Sequence, residues 1–238
     1  GRRLEDQPQG LKLDAYMVPR SEQSLEIETD LYHGGLVFRK HAALDPAAYH
    51  QGILDSALAA GVCVIDRCPA LSIEERSRGK GFRVHTRKGN VEARDVVIAT
   101  SGYTGSLTPW QQRRVIPIGS YMIATEELGE ERAMALIPAG RMITDTRRLV
   151  VYYRLSPDRQ RLLFGGRVSL NEIDPRISAP RLRDQMTTIF PQLNNIQVTH
   201  SWMGFVGWTF QQMPHLGRHN GIWYSLGYCG SGISLASY

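Results

Sequence analysis

The feature that most constrains this chain is the run from Ile222 to Ile233, where Ile222-Trp223-Tyr224-Ser225-Leu226 opens directly into Gly227-Tyr228-Cys229-Gly230-Ser231-Gly232-Ile233. The apolar and aromatic residues predict a strand, and the glycines predict a tight turn into a helix. Glycines packed so densely let backbone N–H groups approach a ligand, and a helix starting after them favours a phosphate or an electron-rich ring edge. A bare strand-to-helix turn would satisfy the same residues, since a glycine cluster alone is a weak signal. A second stretch tips the balance: Val96-Val97-Ile98-Ala99-Thr100-Ser101-Gly102-Tyr103 also reads as a buried strand ending in small residues and glycine.

Two such strand ends facing one crevice are how open α/β sheets bind nucleotides. Around them stand Leu44-Asp45-Pro46, Pro117 with Tyr121, Asp145-Thr146-Arg147, Tyr152-Tyr153-Arg154 and Leu163-Phe164-Gly165-Gly166-Arg167. Further on come Phe190-Pro191, Trp202-Met203-Gly204 with Thr209, and Met213-Pro214-His215-Leu216-Gly217-Arg218. In order and spacing these runs resemble the FAD-dependent amine and amino-acid oxidoreductases, the group of D-amino-acid, sarcosine, glycine and γ-glutamylputrescine oxidases. The likeness covers most of the chain.

The resemblance implies an α/β plus α+β fold: an incomplete FAD-binding Rossmann-like domain of glutathione-reductase type, with a substrate domain built on a mixed or antiparallel sheet. It places 40–112 and 213–238 in the FAD-binding domain, and 10–39 and 113–212 on the substrate side. The implied flavin contacts are Ala99, Thr100, Gly102, Gly227, Gly230, Ser231, Gly232 and Ile233, with Ala70 near the adenine end. FAD is expected to be held non-covalently. Cys229 beside the turn is expected to be a small buried thiol rather than an attachment point.

One departure from that family is large. Its members begin with a βαβ unit whose G-x-G-x-x-G turn holds the pyrophosphate, and no such fingerprint occurs in the 238 residues. The chain starts in a polar segment, Gly1 to Gln9, and stops at Tyr238, about one turn into the helix that Gly232 opens. It therefore reads as an internal fragment of a longer protein. Alone, it is expected to hold little FAD, to be inactive, and to associate or fold poorly.

Composition excludes several other classes. Positive charge is mostly arginine spread along the chain, with 28 Lys+Arg against 23 Asp+Glu and a net charge of +5. A nucleic-acid binder would gather it into a face or stripe, so no nucleic-acid partner is expected, and Arg113-Arg114 and Arg147-Arg148 read as solvated strand ends. No apolar run approaches the roughly 20 residues of a membrane span. Cys63, Cys68 and Cys229 form neither a disulfide framework nor a zinc pattern, which points to a reducing, cytoplasmic setting. The seven histidines never pair at i,i+4 beside a carboxylate on a credible helix, and Gly230-Ser231-Gly232 lacks the spacing of a nucleophile elbow. No metal site is expected. His215 reads as a loop residue packed near the cofactor rather than as a catalytic base.

Local signals place the elements. Leu25 to Thr29 predicts a strand and His33-Gly34-Gly35 a turn. Asp45 as N-cap and Pro46 start a helix with Tyr49, Ile53, Leu54, Ala57 and Leu58 on one face, and Gly61 ends it. Val62 to Ile65, Ala70 to Glu74, Phe82 to Thr86 and Val91 to Thr100 predict strands, with turns at 78–81 and 88–90. Val115 to Thr125, Arg148 to Leu155, Arg161 to Arg167 and Gln197 to Phe205 predict longer strands, with a turn at 156–160. One helix, capped by Ser178 with Pro180 near its start, shows the apolar face Leu182, Met186 and Ile189.

Amine oxidation asks for an aromatic, partly apolar pocket that first receives a cationic substrate. The pocket candidates are Tyr121, Tyr153, Trp202 and Trp208, although strand alternation sends about half of the aromatics on these strands away from any pocket. No catalytic residue is singled out. Amino-acid-specific members of the family carry an arginine soon after the Gly204 position to pair with the substrate carboxylate, whereas Gly204-Phe205-Val206-Gly207-Trp208-Thr209 offers none. That makes the γ-glutamylputrescine oxidase branch the nearest pattern. Lysine stops at Lys12, Lys40, Lys80 and Lys88, so the lysine that sarcosine-type members place over the flavin is missing, and the electron acceptor is oxygen or a carrier. The expected activity is FAD-dependent oxidation of an amine C–N bond to an imine, acting on a small-molecule amine. The alternative is a non-catalytic fragment or binding module without cofactor.

Overall fold

A computed structural model describes residues 13–147, 149–167 and 172–237. Gly1 to Lys12, Arg148 and Tyr238 lie outside the described residues, and with them the polar N-terminal segment, the start of the expected 10–39 segment and one member of the Arg147-Arg148 pair.

In chain order the elements are β1 (Ala15–Pro19), β2 (Gly34–Phe38), α1 (Pro46–Ala59), β3 (Ala70–Glu75), β4 (Phe82–Thr86), β5 (Gly89–Ala93) and β6 (Val97–Ile98). There follow α2 (Pro109–Gln112), β7 (Ile116–Thr125), α3 (Glu130–Leu136), β8 (Ile143–Thr144), β9 (Val151–Leu155) and β10 (Leu162–Gly166). The last are α4 (Pro175–Ile189), β11 (Val198–Trp208), β12 (His215–His219), β13 (Ile222–Leu226) and α5 (Gly232–Leu235). The chain divides into two compact, discontinuous units, 1–53 with 121–203 and 54–120 with 204–238. The boundaries expected from sequence, 39/40, 112/113 and 212/213, differ from the observed 53/54, 120/121 and 203/204, which fall inside α1, β7 and β11.

The first unit holds the main core. Its sheet has the strand order β11-β7-β10-β9-β8, with β7, β10 and β9 antiparallel and Phe164 level with Ile123 and Tyr153. One face packs on α3 and α4: Ile123, Leu162, Phe164, Leu182, Met186, Ile189 and Phe190 are fully buried. The apolar face of α4 thus lies where its spacing put it, and each such side chain contributes about 1.5–3 kcal/mol. Its cap differs. Asp174 accepts from the Arg176 amide at 2.7 Å and Pro175 takes the first helical position, so the cap lies four residues before Ser178, and Pro180 sits inside the helix. The buried Ser178 hydroxyl instead donates to the Pro175 carbonyl. A short ribbon, β1 antiparallel to β2, completes the unit.

That ribbon corrects two expectations. Gly34-Gly35 begins a strand rather than forming a turn; Gly34 has φ +128°, and a Cβ there would meet the Val18 carbonyl at 2.7 Å. Leu25 to Thr29 is not a strand, because the Gln23 carbonyl accepts from the Glu26 and Ile27 amides and ends a 3-10 turn over Arg20–Leu25.

The second unit contains two three-stranded sheets, β3-β4-β5 and β12-β13-β6. The meander β3-β4-β5 is antiparallel, with Thr86 opposite Gly89 across a two-residue turn. The stretch 91–100 divides into the end of β5 and the separate strand β6. Asp45 caps α1 as expected, accepting from the Ala47 and Ala48 amides at 2.9 and 3.2 Å. Gly61 closes it at φ +85°, with bonds from Gly61 to Leu58 and from Val62 to Ala57 that satisfy the last carbonyls. Val62 to Ile65 is not a strand: no described residue pairs with it, and Val62, Val64 and Ile65 are about half exposed. Leu58, Val97 and Leu216 in this unit are also exposed. Among the described residues, no helix is long and apolar enough to cross a membrane.

Candidate active site: two strand ends and an open sheet face

The pairing of β6 with β13 is parallel, with Val97 level with Trp223 and Ile98 level with Tyr224. The residues that leave these strands therefore emerge side by side, Ala99 to Gly102 from one and Gly227 to Gly232 from the other. Both exits are held in unusual backbone. Ser101 at φ +43° and Cys229 at φ +52° are non-glycine residues in the left-handed region, a conformation that costs about 1–2 kcal/mol and collects at functional sites.

Close backbone packing enforces this shape. A Cβ on Gly102 would meet the Phe205 carbonyl oxygen at 2.6 Å, and one on Gly207 would meet Ser101 Oγ at 2.5 Å and the Gly102 nitrogen at 2.9 Å. The Cys229 amide donates to the Gly207 carbonyl at 3.0 Å, and the Phe205 amide donates to the Tyr103 hydroxyl at 3.1 Å. Gly227, at φ +77°, stands against the Thr209 methyl, while the Thr209 hydroxyl donates to the Met213 carbonyl at 2.9 Å. Gly102, Gly207 and Gly227 are thus glycines because protein fills their Cβ space. Gly230 is different. It has φ +94° and nothing within 4 Å of its Cβ position, and Gly232 meets only Tyr228 carbons at 3.6 and 3.8 Å. Around it, Ala99, Thr100 and Ile233 are exposed, so an unfilled surface lies at the strand exits.

Ala70, the remaining predicted cofactor contact, stands at the start of β3 in the other sheet of this unit, opposite Thr86. Cys229 is partly buried, its thiol donating to the Gly227 carbonyl and lying 3.4 Å from the Thr209 amide. His215 belongs to β12 rather than to a loop, level with Leu226, and its Nε2 is buried without a hydrogen-bond partner. The tie between Gly207 and the 101–102 turn was missed from the sequence, although the Gly204-x-x-Gly207 spacing carried its signal.

The pocket candidates divide between the units. Tyr121 and Tyr153 turn into the core of the first, 1% and 2% exposed. Tyr121 donates to Glu172 at 2.8 Å and accepts from the Ile173 amide; Tyr153 donates to the Tyr32 hydroxyl at 3.0 Å and stacks on Phe164. Burial first, and the hydrogen bond to Tyr32 second, pushes the Tyr153 hydroxyl far above the usual tyrosine range, and burial raises Tyr121 as well. Both phenols stay neutral and cannot serve as proton acceptors. Trp202 is 42% exposed on β11, while Trp208 lies partly buried in the second unit. The aromatic of β9 on the face opposite Tyr153 is Tyr152. Elsewhere in the first unit, a cavity of about 960 Å³ is lined by residues including Arg20, Gln23, Glu28, Asp30 and Arg132, none of them a predicted site residue.

A family model described as FAD dependent oxidoreductase matches residues 2–238. The chain belongs to that family. Among its relatives, the Escherichia coli (strain K12) protein named gamma-glutamylputrescine oxidoreductase is 32% identical over 228 residues, which cover 93% of this chain and 50% of that protein. The Haemophilus influenzae protein named "Probable oxidoreductase OrdL" is 32% identical over 212 residues, 87% of this chain and 48% of its own length. The chain spans about half the length of the curated relatives it matches.

Solved structures agree on the fold. Glycine oxidase from Geobacillus kaustophilus superposes with a TM-score of 0.76 at 17% identity, covering 94% of this chain and 60% of that one. L-proline dehydrogenase from P. horikoshii gives 0.76 at 14%, covering 95% and 62%. These superpositions show the fold, in line with the α/β plus α+β architecture expected from the sequence, and the FAD cofactor expected from the sequence holds for the family to which the chain belongs. The surface that Gly230 leaves open fits a cofactor approaching the strand exits.

Proposed function

We propose that this chain forms the ring-side cofactor surface and the substrate sheet of an enzyme that oxidises the C–N bond of an amine. The observation that carries this reading is the parallel register of β6 and β13, which sets Ala99, Thr100 and Gly102 beside Gly227, Gly230, Ser231, Gly232 and Ile233. In this reading those residues hold the flavin edge and Ala70 lies toward the adenine. FAD, when bound, supplies the two-electron acceptor, and water then hydrolyses the imine product. The protein's own task is to bind and orient the amine and to keep water from the reacting carbon.

An amine, rather than a free amino acid, is supported by what β11 lacks. Gly204 to Thr209 contains no arginine, and a substrate α-carboxylate without a bidentate partner would be left poorly satisfied in a closed site. The name of the 32%-identical E. coli relative, gamma-glutamylputrescine oxidoreductase, points to the same substrate class. The electron acceptor is oxygen or a carrier.

The test is anaerobic mixing of the flavin-loaded protein, at the length of its relatives, with a panel of substrates. Diamines and N-acylated polyamines are expected to bleach the flavin faster than D- or L-alanine and glycine, by about tenfold or more, the size of effect that one unpaired buried charge produces. Fast bleaching by the amino acids and none by the amines would overturn the substrate class.

A further inference from the structure

The cavity of about 960 Å³ in the first unit is walled by three segments far apart in sequence: the 3-10 turn and loop over 20–31, α3, and the end of α4 with the residues after it. Hydrogen bonds fix these walls. The Glu28 amide donates to the Leu136 carbonyl at the end of α3 at 3.0 Å, the Thr29 hydroxyl donates to the Ile189 carbonyl at the end of α4, and the Gln192 side chain donates to the Glu28 carbonyl at 3.3 Å. The cavity is thus preformed, and its volume lies in the range of small-molecule sites. Four charged side chains line it, Arg20 and Arg132 against Glu28 and Asp30. Among the described residues none of the four is in an ion pair. Arg132 spends one guanidinium nitrogen on the Gln192 carbonyl at 3.1 Å, and Arg20 lies 3.4 Å from His33 Nδ1. Gln23, 6% exposed in the same lining, donates through its amide nitrogen to the Thr29 carbonyl, while its Oε1 is buried with no partner among the described residues. A buried acceptor left in that state calls for a donor from outside the chain, a water or a ligand.

We propose that this cavity binds a small zwitterion of about dipeptide size, with Arg20 and Arg132 holding its carboxylate and Glu28 and Asp30 its ammonium group. The lining carries two positive and two negative side chains. A singly charged ligand satisfies one pair and meets like charge at the other, whereas a molecule carrying both groups satisfies each. An N–H on the same ligand is the kind of donor that Gln23 lacks, and Ala135, Leu136 and Pro191 supply apolar wall for the rest of it. The proposal stands apart from the amine reading. Every wall segment belongs to the first unit and both strand exits to the second, and binding is read without flavin reduction.

The experiment is isothermal titration of the flavin-loaded protein, at the length of its relatives, with three probes of one shape. These are L-alanyl-L-alanine, its C-terminal amide, which lacks the carboxylate, and its N-acetyl form, which lacks the ammonium group. The zwitterion is expected to bind at least about tenfold more tightly than either singly charged form, the effect of losing one hydrogen bond to a charged group, and to slow hydrogen exchange over 20–31. Arg132→Gln is expected to weaken the zwitterion about tenfold and leave the C-terminal amide unchanged; Glu28→Gln is expected to weaken it as much and leave the N-acetyl form unchanged. A merely structural role for either side chain would weaken all three probes alike and overturn the proposal. Should Arg132→Gln fail to fold, Arg20→Gln carries the same test. No heat and no protection with alanyl-alanine, or equal binding of the three probes, would make the cavity a solvent-filled cleft and overturn the proposal. Zwitterion binding that ignores every variant would lie elsewhere on the protein and overturn it too. Whether amines reduce the flavin bears on the amine reading alone.

Discussion

In a chain extended to the length of its relatives, Gly230→Trp is expected to give a folded protein that retains at least about tenfold less FAD than the unsubstituted one, a loss of about 1.4 kcal/mol or more in binding. The structure makes this substitution more diagnostic than one at Gly102, Gly207 or Gly227. At Gly102, Gly207 and Gly227 a new side chain collides with the protein itself, so lost flavin there would report only on a damaged turn. At Gly230 nothing lies within 4 Å of the added carbon, and the cost to the fold is confined to holding φ +94° with an L side chain, about 1–2 kcal/mol. Gly230→Ala carries the same backbone strain with little volume, so it is expected to retain much more flavin than the tryptophan variant. Flavin absorbance per mole of protein after gel filtration, with circular dichroism as the folding control, makes the comparison. Equal flavin content in all three proteins would remove the turn from the cofactor site.

Phe164→Ala is expected to destabilise the first unit by about 3–5 kcal/mol, read as a shift in the urea midpoint. Phe164 is fully buried on β10, level with Ile123 and Tyr153. Its ring stacks on Tyr153 at 5.4 Å between centroids, and Tyr153 in turn meets Phe190 edge-on at 5.5 Å. The cavity cannot close easily. Tyr153 is tied by its hydroxyl to Tyr32 and Tyr121 by its own to Glu172, so neither ring can move into the space without breaking a partly buried hydrogen bond. An unchanged midpoint would mean that the stacked aromatics do not form the core of this unit.

Much of this was legible in the sequence because it is written locally. Asp45-Pro46, the Leu182, Met186 and Ile189 spacing, and the strand-then-glycine runs at 96–103 and 222–233 each specify their own structure over a few residues. What could not be read depends on partners distant in sequence. Val62 to Ile65 has the apolar content of a strand, but a strand exists only where another chain segment offers hydrogen bonds, and none of the described residues does. Gly34-Gly35 looks like a turn until Ala15–Pro19 pairs with it. Asp174-Pro175 outcompeted Ser178 as the helix start because the acidic cap and the proline coincide one position apart.

Adjacent residues of one strand face opposite ways, and no local signal says which of Tyr152 and Tyr153 faces the core. That was decided by Phe164 on the neighbouring strand and Phe190 at the end of α4. The glycines carried a similar ambiguity: Gly102 and Gly227 are needed for packing and Gly230 is not, a difference visible only once Phe205, Ser101 and Thr209 are in place. Among the described residues, the seventeen of the main core all come from the first unit, whereas the candidate cofactor surface belongs wholly to the second. Stability and cofactor approach are therefore separable by mutation, which the two substitutions above exploit.

Hydrogen–deuterium exchange with and without FAD, in a chain extended to the length of its relatives, tests the cofactor placement most directly. Backbone amides at the two strand exits, 99–104 and 227–233, are expected to exchange more slowly when FAD is bound, while the core strands β7, β9 and β10 are unchanged. Tight FAD binding with no protection at either exit would contradict it.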